Sequence, residues 1–232
     1  MGLKERRERE KEARKRQILT AARRLLFKKG IQSTSINQIA RTAELGVGTI
    51  YFYYQSKEEI FYSLQEEGLD ILFREIDAIG RAKTPSDEKL RQTGLAYLRF
   101  SSEQKDYFDI INYFLATPSV ILGSELKQQI DRKGSHILEL IAGFIRTGIS
   151  DGIFRPVDEK KYAVMFWGTL HGLTQFKKLE DTVLEGDDHG QIFDYAVEQL
   201  IGGLKRTDEQ GPRPENGSRM TENWGRRSED EC

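Results

Sequence analysis

Apolar residues recur along this chain at three- and four-residue spacing, the period of an amphipathic helix. Ile18, Ala22, Leu25 and Leu26 make one such stripe in a helix predicted over about 8–29. Its first half carries interleaved charges, with Glu10/Arg14 and Glu12/Arg16 at i,i+4. Lys28, Lys29 and Gly30 close it, basic residues and a glycine being good helix-ending chemistry. Two capping boxes follow, Ser35-Ile36-Asn37-Gln38 and Ser56-Lys57-Glu58-Glu59, and set helix starts near 36 and 57. The second helix runs to about 80 with Ile60, Leu64, Ile71, Leu72 and Ile76. Thr84-Pro85-Ser86-Asp87 reads as a cap with proline at the first helical position, opening a helix towards 101. Further helices are predicted over 106–117, 124–150, 158–179 and 190–205, so the fold class is all-α. From 207 to 232 aliphatic residues nearly vanish and a disordered tail is expected.

One stretch resists the pattern. Residues 46–57 read GVGTIYFYYQSK, rich in the β-branched and aromatic types that favour strands. Both flanks are helix signals, however, and a period of two would put Ile50 or Tyr51, with Tyr53, on a solvated face. In a helix, Val47, Ile50 and Tyr54 share a buried face, while Thr49, Phe52 and Tyr53 point elsewhere. The preceding residues supply a partner. Ala40 is small enough for two helices to cross, Glu44 marks the connection, and Ile39, Ala43 and Leu45 complete a small core with Ile50. This is the spacing of a helix-turn-helix.

Charge sharpens the division of the chain. The formal net charge is only −1, yet residues 1–57 hold 14 Lys and Arg against 5 Asp and Glu. A basic head on an acidic body suits a head that meets a polyanion, although charge runs are more often just solvated helix surface. No apolar run is long enough to span a bilayer, and none near the start reads as a signal peptide. Arg6 stands where a myristoylation signal needs Ser or Thr. The one cysteine is Cys232, which leaves no intrachain disulfide and points to a cytoplasmic setting. Three scattered histidines lack metal spacing, and no catalytic set is seen, so neither enzyme activity nor a cofactor is expected.

The segment GIQSTSINQIARTAELGVGTIYFYYQSKEEIF resembles the DNA-binding domain of TetR-type transcriptional regulators. The shared pattern is a glycine, a Thr-Ser pair, Ile-Ala, a tight turn, Gly-Thr-aliphatic-Tyr, an aromatic pair and Ser-Lys-Glu. It covers about residues 14–62. Two positions depart from it: Glu44 stands where the family has glycine in the turn, and Gly46-Val47 replaces a more polar pair. The resemblance implies a basic arm and three-helix DNA-binding domain over 1–56, a helical ligand-binding and dimerisation domain over 57–206, and the 207–232 tail. It also implies a dimeric repressor of a pseudo-palindromic operator in double-stranded DNA, released by a small apolar or amphipathic effector, with no membrane partner. The 57–80 helix would join the two parts as a lever.

Physical chemistry and resemblance together assign candidate residues. The 46–53 helix would enter the major groove N-terminal end first. Gly46 and Gly48 allow close backbone approach, Val47 and Phe52 offer apolar contact, and Thr49 can donate or accept. Tyr51 matches the family's phosphate-contacting tyrosine, and Tyr53 is placed to reach a phosphate or base edge. Thr34, Ser35 and Lys57 lie at helix N-termini, which suit phosphates. With no Arg, Asn or Gln on that helix, shape readout and the basic arm of residues 4–16 are expected to contribute. In the second domain, Phe100, Ile111, Asn112, Phe114, Leu115, Ile137, Ile141, Phe144 and Phe166 supply core bulk and, by the resemblance, candidates for an effector pocket. Asn112, His136 and His171 are polar residues that fit either role. Gly168, Gly172, Leu173, Tyr195, Leu200 and Ile201 sit on the last two helices, where intrachain packing competes with a four-helix dimer interface that the resemblance favours. The rival function is a DNA-binding structural or cell-division protein of the same fold with no inducer.

Overall fold

The computed structural model describes residues 2–30, 32–116, 124–175 and 188–206. Among these, nine helices form the fold: α1 (Leu3–Lys29), α2 (Ile36–Thr42), α3 (Val47–Tyr53), α4 (Lys57–Arg81), α5 (Ser86–Glu103), α6 (Lys105–Ala116), α7 (Ser124–Ser150), α8 (Glu159–Gln175) and α9 (His189–Leu204). The expected tail, Cys232 and the expected end of α8 at 179 lie outside the described residues.

Four local expectations need correction. α1 begins at Leu3, so the basic segment is itself helical. Its Glu10/Arg14 and Glu12/Arg16 pairings give way to Arg6–Glu10 at 3.0 Å and to Arg14 donating to Gln17 at 2.8 Å. Pro85 is the N-cap of α5 rather than its first residue, and the Thr84 hydroxyl makes no capping bond. At α4, Ser56 caps the Glu59 N–H at 3.1 Å, but Glu59 reaches back to the N–H of Gln55 (2.6 Å) in place of Ser56.

The buried residues form one contiguous core from Ile18 to Leu204. α1 packs on α2, α4 and α6, and α2 on α3. α4 is the central helix, since it also meets α5, α6 and α7; Ile60, Leu64, Leu72 and Ile76 on it are buried. Gly68 lets α6 come close, because a Cβ there would lie 2.8 Å from the Cβ of Tyr107. Tyr107 then joins three helices. Its hydroxyl accepts from Arg23 of α1 (3.1 Å) and donates to Glu67 of α4 (3.0 Å), and the Arg23 guanidinium lies over its ring. At the other end, α9 is fastened by the Arg155 N–H to Leu204 carbonyl bond (2.8 Å) and by Arg91 to Glu198 (2.5 Å).

Candidate nucleic-acid interface

Helices α2 and α3 stand where the sequence placed them. The Ser35 box is complete: Ser35 Oγ accepts from the Gln38 N–H at 3.4 Å, and Gln38 Oε1 accepts from the Ser35 N–H at 3.0 Å. Ile39, Ala40, Ala43 and Ile50 are buried, and Leu45 packs against them. The turn is tight because Glu44 adopts φ 54°, the one positive φ among described non-glycine residues. A left-handed conformation costs a Cβ-bearing residue about 1–2 kcal/mol. Glu44→Gly is therefore expected to raise the stability of the protein by about 1 kcal/mol, after the entropy glycine adds to the unfolded chain. A denaturant titration checks this, and an unchanged or lower midpoint would contradict it.

The aromatics divide as expected except at Tyr53, which packs partly against the core because it follows Ile50 by one turn. Tyr54 is buried at 4% exposure, and burial raises its hydroxyl pKa to about 12, so it is neutral core. Tyr51 and Phe52 are exposed, at 53% and 79%. Tyr53 is half-buried and meets the Phe52 ring edge-on at 5.0 Å. Val47 does not join the buried face; at the first position of α3 it precedes the turn that packs, and it is 37% exposed. Gly46 and Gly48 are exposed, with at most one side-chain oxygen within 4 Å of where a Cβ would be. Thr49 is half-buried. The outward surface of α3 is thus Val47, Tyr51 and Phe52 around two bare glycines.

Two of the proposed phosphate contacts change character. Thr34 is 2% exposed and its hydroxyl donates to the Gly30 carbonyl at 2.9 Å, so its side chain holds the α1–α2 corner instead of facing outward. Ser35 is exposed, but its oxygen is engaged as the α2 cap. Lys57 opens α4 half-exposed, with its ammonium 5.6 Å from the Phe61 ring centre. Sequence reasoning missed Gln17. Its amide donates to the Ala43 carbonyl at 2.7 Å and ties α1 to the turn before α3.

Between α6 and α8 lies a cleft of about 520 Å³ lined by Asn112, Leu115, Trp167, Gly168, His171 and Gln175. Of the predicted pocket residues it gathers Asn112 and Leu115. Phe100, Ile111, Phe114, Ile137, Ile141, Phe144 and Phe166 pack into the core instead, since each fills the apolar face of its own helix. Trp167 meets the buried Tyr97 ring at 4.5 Å, and the Tyr97 hydroxyl lies 2.8 Å from His171 Nδ1. Burial pushes the His171 pKa down and that of Tyr97 up, which leaves both neutral. Asn112 Oδ1 is buried with no hydrogen-bond partner among the described residues. His136 is exposed beside Phe73 and is not in the cleft. The signal for Trp167 and Gln175 was available, because 167, 168, 171 and 175 form one helical stripe.

On α8 and α9, Gly168 and Tyr195 are exposed, while Gly172, Leu173 and Leu200 are half-buried. Ile201 is 1% exposed and belongs to the chain's own core, not to an outer face. Among the described residues no helix is long and apolar enough to cross a membrane, and no group of His, Cys, Asp and Glu could hold a metal ion.

Comparison with known proteins places this geometry. A family model described as "Bacterial regulatory proteins, tetR family" matches residues 18–64. The HTH-type transcriptional regulator HbdR of Aromatoleum sp. (strain CIB) is 30% identical over 148 residues, 64% of this chain and 63% of that protein. The fatty acid metabolism regulator protein of Bacillus subtilis (strain 168) is 27% identical over 157 residues, 66% of this chain and 78% of the relative. Among solved structures, AibR in complex with isovaleryl coenzyme A and operator DNA shares the fold with a TM-score of 0.64, at 21% identity over 82% of this chain and 99% of that one.

Proposed function

Since the chain belongs to the TetR family of bacterial regulatory proteins, we propose that it is a cytoplasmic, homodimeric repressor that leaves its operator when an amphipathic acyl thioester binds. The observation that carries the DNA side is the outward face of α3. Val47, Tyr51 and Phe52 are exposed, and Gly46, Val47 and Gly48 form the bare N-terminal end of α3 that would lead into a major groove. Two such heads would read half-sites about one helical turn apart. Tyr51 and Lys57 act on phosphates, so Tyr51→Ala with Lys57→Ala should weaken binding to all sequences alike and lower the salt slope by about 1–2. Fluorescence anisotropy on an operator selected from random DNA measures both; unchanged binding sinks the assignment.

The cleft beside α8 supports the effector side. Leu115 and Trp167 give it apolar walls, and the buried Asn112 Oδ1 has no hydrogen-bond donor among the described residues. An acyl thioester of coenzyme A brings an apolar chain and amide N–H groups, and isovaleryl coenzyme A is the ligand of AibR. Titrating acyl-coenzyme A thioesters of increasing chain length into the protein is expected to change Trp167 fluorescence and to release the operator over the same concentration range. The chain has a second tryptophan, Trp224, so the measurement uses a Trp224→Phe background. Operator binding unmoved by any thioester would favour the inducer-free alternative.

A further inference from the structure

α1 is longer than its packing requires. Ile18 is its first buried residue, yet the helix begins at Leu3. The stretch before Ile18 extends it by about 22 Å, at 1.5 Å per residue. The overhang is exposed from Gly2 through Arg14, and only Lys15 and Gln17 are half-buried before the core begins. Such a helix would be marginal in isolation but is continuous with a segment already fixed by the core.

The overhang is not randomly charged. The apolar line of α1 runs Ile18, Ala22, Leu25 at spacings of four and three. Continued from Ile18 towards the N-terminus in steps of four, three, four and three, that line reads Arg14, Lys11, Arg7 and Lys4. The stripe that enters the core thus becomes wholly basic where the helix leaves it, and Lys15 lies beside Lys11 on the same face. Glu5, Glu8 and Glu12 form the neighbouring line, where Glu8 borders the stripe beside Lys4 and Lys11. Within the stripe, Lys11 has one long exposed pairing, to Glu8 at 3.8 Å, and Lys4 and Arg7 have no ion pair among the described residues. A helix serving only its own solubility would pair its charges, as Arg6 and Glu10 do on another face.

The root of the overhang is fixed beside the reading helix. Arg14 donates to Gln17, and Gln17 holds the Ala43 carbonyl, three residues before the Gly46 cap of α3. The overhang therefore starts next to the end of α3 that leads into the groove. We propose that the Lys4–Arg7–Lys11–Arg14 stripe is a second DNA-binding surface, a rigid basic rod that lies on the phosphates outside each half-site. The proposal rests on the DNA-binding reading above and extends it to the flanking duplex. A rod of this length covers about 6 base pairs, taking about 3.4 Å per pair. It also supplies affinity that α3 lacks, having no side chain for bidentate base contacts.

The test compares two triple variants with equal charge loss in the full chain: Lys4→Gln, Arg7→Gln, Lys11→Gln on the stripe, and Arg6→Gln, Arg9→Gln, Arg16→Gln off it. Each is measured on a selected operator with about 10 flanking base pairs per side and on the same operator trimmed to the half-sites. All six side chains stand clear of the core, and circular dichroism verifies that both variants keep their helix. The stripe variant is expected to bind the long duplex about tenfold or more weakly at physiological salt, with a salt slope reduced by about 2–3 per head. On the trimmed duplex it should match the unsubstituted protein, whereas the off-stripe variant, which takes equal charge from the same arm, should lose only about threefold or less on the long duplex. Equal losses from both variants, or a stripe variant that binds the long duplex normally, overturn the inference while leaving the operator reading intact. An unsubstituted protein that selects no DNA overturns the operator reading itself.

Discussion

Gly148→Ala is expected to destabilise the protein by about 3 kcal/mol, the upper part of the usual range for overpacking a core. A Cβ at Gly148 on α7 would overlap the Phe154 ring and lie 2.9 Å from Ser86 Cβ. Neither neighbour is free to yield. Phe154 is 1% exposed, and its N–H and that of Ile153 both donate to the Gly148 carbonyl, at 3.0 and 2.9 Å. Moving the ring would also disturb the bridge between Phe154 and Lys205 that ties α9 down. Alanine's better helix propensity, worth about 1 kcal/mol, offsets only part of the clash. Gly143→Ala is the matched control. It lies on the same helix, and among the described residues nothing outside its own helix turn comes within 4 Å of the added methyl, so it should be neutral or slightly stabilising. Urea titrations of both would show a lowered midpoint for Gly148→Ala alone; similar midpoints for the two would mean that the packing argument is wrong.

Gly168→Glu combined with Gly172→Glu is expected to yield a folded monomer that binds its operator about 100-fold or more weakly. Among the described residues, no atom beyond the glycine's own helix turn and chain neighbours lies within 4 Å of a Cβ at either position, so the substitutions fit the single chain. Beside them, Val164, Met165 and Tyr195 are exposed at 57%, 46% and 67%, an apolar surface suited to a second copy. Four carboxylates brought together across a two-fold axis would repel in a poorly hydrated interface. Losing the second head removes an effective concentration that contributes a factor of about 100–10,000. Sedimentation velocity gives the mass, and anisotropy gives the affinity. A variant that remains dimeric would place the interface elsewhere.

Much of this was legible because local chemistry is short-range. The caps at Ser35 and Ser56, and the Ala40–Ile50 crossing, depend on residues within one or two turns of each other. The start of α1 was not legible for the opposite reason: between residues 3 and 17 no apolar stripe exists, and periodicity of hydrophobic residues has nothing to report there. Its basic stripe becomes meaningful only as the continuation of Ile18. Thr34 looked like a phosphate contact because it sits near a helix start, but its partner, the Gly30 carbonyl, is fixed by the shape of the α1–α2 corner. The cleft was the least legible feature. A list of large apolar residues finds what fills a core, whereas a cleft is where packing fails. Seven of the eight residues chosen by bulk therefore pack as filling, and only Leu115, with the polar Asn112, lines the space.

The three-way joint at Tyr107 bears on how such a protein can be rewired. Arg23 belongs to the segment that carries the reading helix, while Tyr107 and Glu67 belong to the segment that carries the cleft. A chimera spliced at residue 56 would transplant the arginine without its tyrosine and carboxylate. It would also set a foreign α1 against Tyr107 and the Gly68 notch. Evolution or an engineer exchanging DNA specificity between two regulators of this build has to move α1 and α6 as a matched pair, even though 84 residues of sequence separate the two partners.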